Sequence, residues 1–314
     1  MSIRRGVALF LAAFLLWHSL PAFAQKAFIV WGSNPTAAVI RDSVLHSFRG
    51  ASSMAIDRFQ NFYVTELDDN GLLKLSATGD SLRAVIGTGL DHYQFSGPES
   101  VDAHLSNAIF VADRFNHRIE QYTKELVYVS TLYTFESPDP AKQFGFPRAV
   151  AADDAGNIYV ADGENKRVLK FRSDFSFERS IGSSSESSRP EALLTNPVAL
   201  GVDANQHLLI LDRSGRSLVE FDILGNLIHR SEFDGEGSSI SFSSDTIFVL
   251  IPDRQEVRLY KEPELSFVGT WDINRLDVDR SSLKDFHVRN GIPYLLTRDA
   301  LYRCALQHLD LRSK

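Results

Sequence analysis

Residues Phe144–Gly182 read FGFPRAVAADDAGNIYVADGENKRVLKFRSDFSFERSIG. Four short strand-like runs follow one another within them: Ala149–Ala152, Asn157–Ala161, Val168–Phe171 and Phe177–Ile181. The residues between the runs, such as Asp153–Gly156 and Asp162–Asn165, are typical of tight turns. This part of the chain therefore predicts one antiparallel sheet of four strands.

A weaker version of the same pattern recurs along the chain with a period in the forties. The units begin at Ala51, Pro98, Pro147, Pro197, Gly237 and Leu283, at intervals of 47, 49, 50, 40 and 46 residues. Their second runs, such as Ile158–Ala161 and Leu208–Leu211, are apolar without alternation, which indicates strands buried on both faces. No helical-period segment separates the strands, so neighbouring sheets must cover them. We predict an all-β fold, a β-propeller of four-stranded antiparallel blades.

The third unit resembles an NHL repeat. The residues that carry the resemblance are Pro147, Val150, Asp153, Gly156–Asp162, Asn165 and Arg167-Val168. The second unit matches through Pro98, Asp113 and Asn116–Ile119, and the fourth keeps Pro197 and Asp212 but has Arg216-Ser217 where the motif has Asn or Lys, then Arg. The first unit has Glu66 in place of the motif aspartate, and the fifth has Ile251. The resemblance implies a single propeller domain over residues 25–314.

The number of blades follows from how the ring closes. We expect six, with Val44–Phe48 as the outer strand of the blade that the C-terminal unit begins. Seven stays open, because Phe28–Trp31, Ala37–Arg41 and Val44–Phe48 also resemble three strands of a further unit.

The first 24 residues have the pattern of an export signal. Arg4 and Arg5 precede the apolar run Val7–Trp17, and Ala22-Phe23-Ala24 is a small-x-small cleavage site. The run is short of the ~20 residues that span a bilayer. We therefore expect cleavage near Ala24, a periplasmic or secreted protein, and no membrane span.

The charge of the chain excludes one class of partner. The whole sequence has 33 basic and 40 acidic residues, and removal of the signal leaves 31 and 40, a formal net charge of −9. Phosphate backbones favour clustered Lys and Arg, so we expect no nucleic-acid binding. The only cysteine, Cys304, lies in the apolar run Leu301–Leu306 and is predicted to be a buried structural thiol.

Loop lengths point to one face of the propeller as the binding surface. The connections between units are long (Gly87–Ser96, Thr134–Phe146, Ser183–Asn196 and Asn274–Lys284), and the turns between second and third strands emerge beside them. Basic and aromatic groups in these turns and at the start of the inner strands form our candidate ligand site: Arg114, Phe115, Arg148, Lys166, Arg213, Arg216 and Arg254. The alternative is that turns are polar in any protein.

The sequence lacks the common catalytic and metal-binding motifs. No histidine pair at metal-ligand spacing and no nucleophile or phosphate-binding motif is present in the sequence, so no catalytic residue is assigned. The motif residues Asp113, Asp162, Asp212, Arg118 and Arg167 recur once per unit, which favours a structural role, with the arginine pairing between blades. At the start of the inner strands, Glu99, Asp285 and His287 are candidates for a divalent ion.

Two functions of different classes fit these observations. The first is a non-catalytic binding module for a peptide, protein or glycan, with no cofactor, acting through the loop-rich face. The second is a metal-dependent lyase or lactonase, because exported propellers similar to peptide-amidating lyases, virginiamycin-type lyases and gluconolactonases hold Ca²⁺ or Zn²⁺ at the channel mouth. Whether the protein is an enzyme stays open, since fold alone does not give function.

Overall fold

The computed structural model of the chain describes residues 37–184 and 190–308. Within them the chain consists of β-strands joined by turns and by short 3-10 helices. The predicted all-β propeller of four-stranded antiparallel sheets is confirmed. The expected signal at residues 1–24 and the run Phe28–Trp31 lie outside the described residues.

Four separate sheets, here called the first to fourth blades, follow the first strand, β1 (Ala37–Ser47). Each blade has its four strands in chain order from the inner to the outer edge. The first and second blades are β2 (Ala51–Ile56), β3 (Phe62–Glu66), β4 (Gly71–Leu75), β5 (Ser81–Ile86), β6 (Pro98–Asp102), β7 (Ala108–Asp113), β8 (Arg118–Thr123) and β9 (Tyr128–Tyr133). The third and fourth are β10 (Ala149–Ala152), β11 (Ile158–Asp162), β12 (Arg167–Phe171), β13 (Phe177–Ile181), β14 (Pro197–Val202), β15 (Leu208–Asp212), β16 (Ser217–Phe221) and β17 (Leu227–Glu232).

The last seven strands join β1 in one eight-stranded sheet. They are β18 (Ser239–Ser243), β19 (Thr246–Ile251), β20 (Glu256–Lys261), β21 (Ser266–Asp272), β22 (Leu283–Arg289), β23 (Ile292–Thr297) and β24 (Ala300–His308). The strand order is β18-β19-β20-β21-β1-β24-β23-β22. The 3-10 helices are Arg114–Asn116, Pro140–Lys142, Pro190–Ala192, Pro252–Arg254, Asn274–Leu276 and Arg280–Ser282.

Strand β1 closes the ring. It pairs antiparallel with β24 from Ala37 opposite His308 to Ser47 opposite Ala300, and parallel with β21 at Ala37 and Ala38. The outer strand predicted at Val44–Phe48 is thus confirmed, and it begins earlier than expected. The alternative in which Ala37–Arg41 and Val44–Phe48 are separate strands is wrong, because a single strand, β1, runs from Ala37 to Ser47.

The apolar core lies between successive sheets. Every residue of β3, β7, β11, β15 and β19 is buried, as the unalternating apolar runs predicted. Phe110 of the second blade packs with Val160 of the third, and Tyr159 of the third with Ile210 of the fourth. Each such side chain stabilises the fold by about 1.5–3 kcal/mol. Cys304 is also buried, and burial raises the pKa of its thiol to about 12.

The motif aspartates fasten the long connections to the blades. Asp113 is fully buried, accepts a hydrogen bond from the backbone N–H of Ser96 (2.7 Å) and pairs with Nε of Arg118 (2.8 Å). Arg118 also donates to the carbonyls of Leu90 and Gln94 in the connection before the blade, at 2.7 Å each. The structural role predicted for these residues is confirmed. The arginine pairs with the aspartate of its own blade, not with a charge of the next.

Candidate functional site

A channel of about 1830 Å³ runs between the innermost strands of all the sheets. We call its upper face the end where the long connections and the turns between second and third strands lie together. Hydrogen bonds from the Arg114 N–H to the Gly97 carbonyl (3.2 Å) and from the Arg213 N–H to the Asn196 carbonyl (3.0 Å) join these turns to the connections. The lower face carries the turns between first and second strands.

The upper mouth of the channel is a cluster of alternating charges. Glu99 is the second residue of β6, and Arg114 follows the buried strand β7, so both side chains reach the mouth. One Glu99 oxygen lies 3.1 Å from Arg114 Nη1, and the other lies 2.9 Å from Nη1 of Arg148, which precedes β10. A single carboxylate therefore holds two of the predicted arginines in fixed positions.

Arg213 lies in the same mouth without a carboxylate of its own. Its Nε donates to the Gly237 carbonyl at 3.3 Å, and no carboxylate within residues 37–184 or 190–308 is within 4.0 Å of its guanidinium. Burial lowers the pKa of Arg213, and the like charge of Arg148 lowers it further, while Glu236 and Glu99 oppose this. Arg213 is thus a partly desolvated cation that faces the channel.

Aromatic side chains adjoin the charges on the upper face. The Phe115 ring is 54% exposed and lies 5.2 Å from the Arg114 guanidinium. Phe146 contacts both Phe115 and His117, with ring centroids 6.3 and 4.4 Å apart. Phe135, 60% exposed, extends this group outward through His117. An exposed aromatic patch beside arginines has the composition of a protein-binding surface.

The structure brings together four of the seven candidate ligand residues. Arg114, Phe115, Arg148 and Arg213 line the channel. Lys166 and Arg216 have exposed side chains at the left-handed last positions of their turns, with φ of 57° and 45°, and lie outside the channel lining. Arg254 also lies outside it and faces Asp234 at 3.8 Å on the surface.

The three candidate metal ligands at the channel mouth have other partners. Glu99 is held by the two arginines. Asp285 is buried, accepts hydrogen bonds from the N–H groups of Met54 (2.9 Å) and Phe286 (2.8 Å), and lies 3.4 Å from His287 Nε2. Burial alone would raise the pKa of Asp285, but His287 and the Met54 amide outweigh it and the pKa is lowered. Asp285 thus joins neighbouring inner strands.

Two groups of candidate site residues were not predicted from the sequence. Glu236 and Arg280 line the upper mouth from connections whose positions in the repeat are not matched between units. Among the described residues, three ligand-type side chains come together instead near the lower face: Asp203, His207 and Glu220, whose ligand atoms all lie within 4.8 Å of one another. A position-by-position comparison of the third and fourth units contains the signal for this cluster.

Comparisons with known proteins agree with this fold. The family model of the NHL repeat matches residues 144–171. The human NHL repeat-containing protein 3 is 29% identical over 109 residues, which are 32% of this chain and 31% of the relative, so the match spans about a third of that protein. No helix among the described residues has the length and apolar character needed to cross a bilayer.

Solved propellers are similar in fold at low sequence identity. Virginiamycin B lyase from Staphylococcus aureus superposes with a TM-score of 0.62 at 7% identity, over 87% of this chain and 100% of that one. A streptogramin B lyase gives 0.58 at 11% identity (82% and 79% covered), and a chain of the nidogen/laminin complex 0.58 at 15% (82% and 85%). An enzyme and a binding protein thus share this architecture, which shows the fold alone. The chain is an all-β propeller that carries an NHL repeat at residues 144–171.

Proposed function

We propose that the protein is an exported, non-catalytic binding module that recognises an acidic segment of a peptide or protein at the upper mouth of its channel. The observation that carries this proposal is the Arg213 guanidinium, which faces the channel beside Arg148 without a carboxylate partner among the described residues. A carboxylate from a ligand would relieve the repulsion between the two arginines. Bidentate arginine–carboxylate pairing would also fix its orientation.

The aromatic patch supports the same partner class. Phe115 and Phe135 offer apolar area next to the charged mouth, and Arg114 lies over the Phe115 ring. A protein or peptide segment can place an apolar side chain there while its carboxylate reaches Arg213. A chain of the nidogen/laminin complex is one example of this fold in a protein that assembles with another protein.

The alternative is a lyase or lactonase that holds a divalent ion at the channel mouth. Such an ion would need ligands from Glu99, Asp285 and His287. Glu99 would then have to leave both arginines, and Asp285 would have to give up two backbone hydrogen bonds. Because these contacts compete with metal coordination, they favour a binding module over a metal-dependent enzyme.

A peptide array tests the proposal. Purified full chain is applied to acidic peptides and to the same peptides with Asp and Glu replaced by Asn and Gln. We expect retention on the acidic set, weakened by salt, and at least tenfold weaker binding for Arg213→Ala, because loss of one partner of a desolvated charge pair costs about 2–5 kcal/mol.

The matched control is Lys166→Ala, which removes an exposed positive charge on the same face outside the channel. It should leave retention within twofold of the unmodified protein. Equal binding of the amide peptides, or an equal loss in Lys166→Ala, would contradict the proposal.

We also infer that the ring has six blades. The eight-stranded sheet is then two blades, β18–β21 and β22–β24 with β1, whose outer strands β21 and β1 pair over two residues each, Trp271–Asp272 and Ala37–Ala38. Export is part of the proposal as well. A mature N-terminus other than one near Gln25, found by sequencing the protein recovered outside the cytoplasm, would count against it.

A further inference from the structure

The turn between the first and second strands contains an aspartate in the first, third and fourth blades. In the third blade, Asp153 Oδ1 accepts from the Asn157 N–H (2.8 Å), and Oδ2 accepts from Asn157 Nδ2 (2.8 Å) and from the Tyr159 hydroxyl (3.2 Å). Lys170, opposite Tyr159 in the sheet, lies 5.5 Å from the tyrosine ring. The buried carboxylate is therefore fully supplied with hydrogen-bond donors.

The first blade repeats this arrangement. Asp57 Oδ2 accepts from Asn61 Nδ2 (3.0 Å) and the Tyr63 hydroxyl (3.3 Å), and Lys74 lies 5.7 Å from the tyrosine ring. Two blades thus share an aspartate, an asparagine, a tyrosine and a lysine at matched positions.

The fourth blade keeps the backbone of the turn but changes its side chains. Asp203 Oδ1 accepts from the His207 N–H at 2.8 Å, as in the other two blades. His207 stands in place of asparagine, Leu209 in place of tyrosine, and Glu220 in place of lysine. His229, paired with Glu220 across the strands, replaces the arginine found in the third blade at Arg179.

These replacements leave one carboxylate oxygen of Asp203 without a donor. The side chain is 1% exposed, and its Oδ2 atom accepts no hydrogen bond from an N–H or a hydroxyl group of the described residues; the Glu262 carboxyl contacts this side chain. His207 Nδ1 lies 3.7 Å from it. A buried polar atom without a partner costs about 1–3 kcal/mol, so its retention calls for a ligand.

The other side chains of the cluster converge on the same point. His207 Nδ1 lies 2.7 Å from Glu220 Oε1, and His229 Nδ1 lies 2.9 Å from Glu220 Oε2. Within residues 37–184 and 190–308, the ion pairs of Asp203 and Glu220 are with these histidines. The arrangement concentrates negative charge that a cation would neutralise.

We infer that Asp203, His207 and Glu220 form a binding site for one divalent transition-metal ion, with zinc as the ion that fits the donor set. One imidazole nitrogen and two carboxylate oxygens are zinc ligands, whereas calcium and magnesium prefer oxygen alone. Ligands about 2.0–2.2 Å from a tetrahedral zinc lie about 3.4 Å apart. The distance of 3.7 Å from His207 Nδ1 to Asp203 is close to this spacing, and the 2.7 Å contact of His207 Nδ1 with Glu220 would lengthen as both atoms turn to the metal. His229 holds the second oxygen of Glu220 and so orients the carboxylate.

The rival explanation uses a proton in place of a metal. Glu262, from the neighbouring turn after β20, is held by Asn205 Nδ2 at 3.2 Å. Burial and the charge of Asp203 raise the pKa of Glu262 to about 7. A protonated Glu262 could donate to Asp203, and zinc would then not bind.

The test is zinc binding to the purified full chain after EDTA treatment and dialysis. We expect one equivalent of Zn²⁺ by isothermal titration calorimetry. At a hundredfold excess over the dissociation constant, the melting temperature should rise by about 5 °C and return with EDTA. No uptake of zinc by the unmodified chain would overturn the inference.

Two variants keep the test specific. The double variant His207→Asn with Glu220→Lys places in the fourth blade the residue types that the third blade has at the matched positions. It should bind no zinc. Its melting temperature in EDTA should stay near that of the unmodified chain, because the third blade folds with these residues. His104→Ala removes an exposed histidine on the lower face, paired with Asp154 at 2.7 Å, and should bind as the unmodified chain does. Zinc uptake by the double variant equal to that of the unmodified chain would assign the metal elsewhere.

Discussion

The third and fourth blades have the same strand order and the same turn lengths, yet they differ at both ends of their second strands, β11 and β15. At the upper end of β11, Asp162 pairs with Arg167 Nε at 3.1 Å, and Arg167 donates to the Gln143 carbonyl of the connection at 2.7 Å. In the fourth blade Asp212 is kept, but Ser217 occupies the position of Arg167. The partner expected from the repeat is missing there.

Another arginine takes over this role in the fourth blade. Arg230 comes from the neighbouring strand β17 and donates to the Leu193 carbonyl (2.7 Å) and to Ser217 Oγ (2.7 Å). Asp212 accepts from the N–H groups of Thr195 (3.0 Å) and Asn196 (2.6 Å). A guanidinium and a carboxylate thus fasten the connection in both blades, although the arginine has changed its position in the sequence.

The lower ends of the same two strands behave differently. Around Asp153 both carboxylate oxygens have donors, whereas around Asp203 no N–H or hydroxyl group of the described residues replaces the lost asparagine and tyrosine donors. Compensation at the upper end marks an interaction that the fold requires. The lack of compensation at the lower end indicates that these side chains do not serve the fold alone, and we infer that they bind a metal ion.

The largest effect is expected from removing the upper aspartates. Asp162→Ala removes a fully buried carboxylate and leaves the partly buried Arg167 guanidinium without it, which should lower the free energy of unfolding by about 3–5 kcal/mol. Asp212→Ala should cost about 2–3 kcal/mol, because it strands the backbone donors of Thr195 and Asn196. Urea unfolding followed by tryptophan fluorescence measures both.

Glu164→Ala serves as the control for these substitutions, since this side chain is exposed in the turn between β11 and β12. Its unfolding midpoint should match that of the unmodified chain. If Asp162→Ala also had the unfolding midpoint of the unmodified chain, the motif aspartate would not stabilise the connection. The interaction at the upper ends of β11 and β15 would then not be one that the fold requires.

A smaller effect tests the substitution of one arginine by another. Arg230→Met removes the donors to Leu193 and Ser217 and should cost about 1.5–3 kcal/mol, the range for hydrogen bonds to a charged group. Adding Ser217→Arg restores the arginine at the position used by the third blade. The double variant should recover part of the loss, measured by the same urea unfolding.

The two substitutions of this pair are informative only together. Ser217→Arg alone places a second guanidinium beside Arg230 and should destabilise the protein, because like charges then share one carboxylate. Equal stability of Arg230→Met and the double variant would show that Arg230 does not stand in for the motif arginine.

The sequence predicted the architecture because propeller packing imposes a period. The second strands are covered on both sides in every blade, so their apolar runs recur even where the motif aspartate is lost, as at Ile251. The outer strand at Val44–Phe48 was also predictable, since a closed ring needs a strand from the opposite end of the chain. These features depend on contacts that each unit repeats.

The candidate sites were less predictable because they depend on contacts between units. Arg148 and Glu99 are 49 positions apart, and their pairing follows only from the placement of two inner strands side by side. A search for metal-ligand spacing between histidines misses His207, because its partner Glu220 lies 13 positions later in the sequence, on β16. An alignment of the fourth unit with the third shows His207 in place of asparagine and Glu220 in place of lysine.

The last effect concerns pH at the junction of the first and second blades. Lys124 occupies the turn position that Glu262 occupies beside the fourth blade, and its Nζ donates to the Ala103 carbonyl (2.7 Å) while lying 5.2 Å from the Tyr63 ring. Burial lowers the pKa of Lys124 to about 8, although Asp57 and Asp102 oppose this. An unfolded lysine has a pKa of about 10.4.

Between these two values the unfolded chain binds more protons at Lys124 than the folded chain does. The free energy of unfolding should therefore gain from this group as pH rises from about 8 to about 10, and Lys124→Met should flatten that slope. Lys166→Met, at an exposed lysine, should keep it. Melting temperatures at intervals across this range measure the slope, and an unchanged slope in Lys124→Met would show that the lysine is not desolvated. The difference in charge between Lys124 beside the first blade and Glu262 beside the fourth would then have no effect on how stability depends on pH.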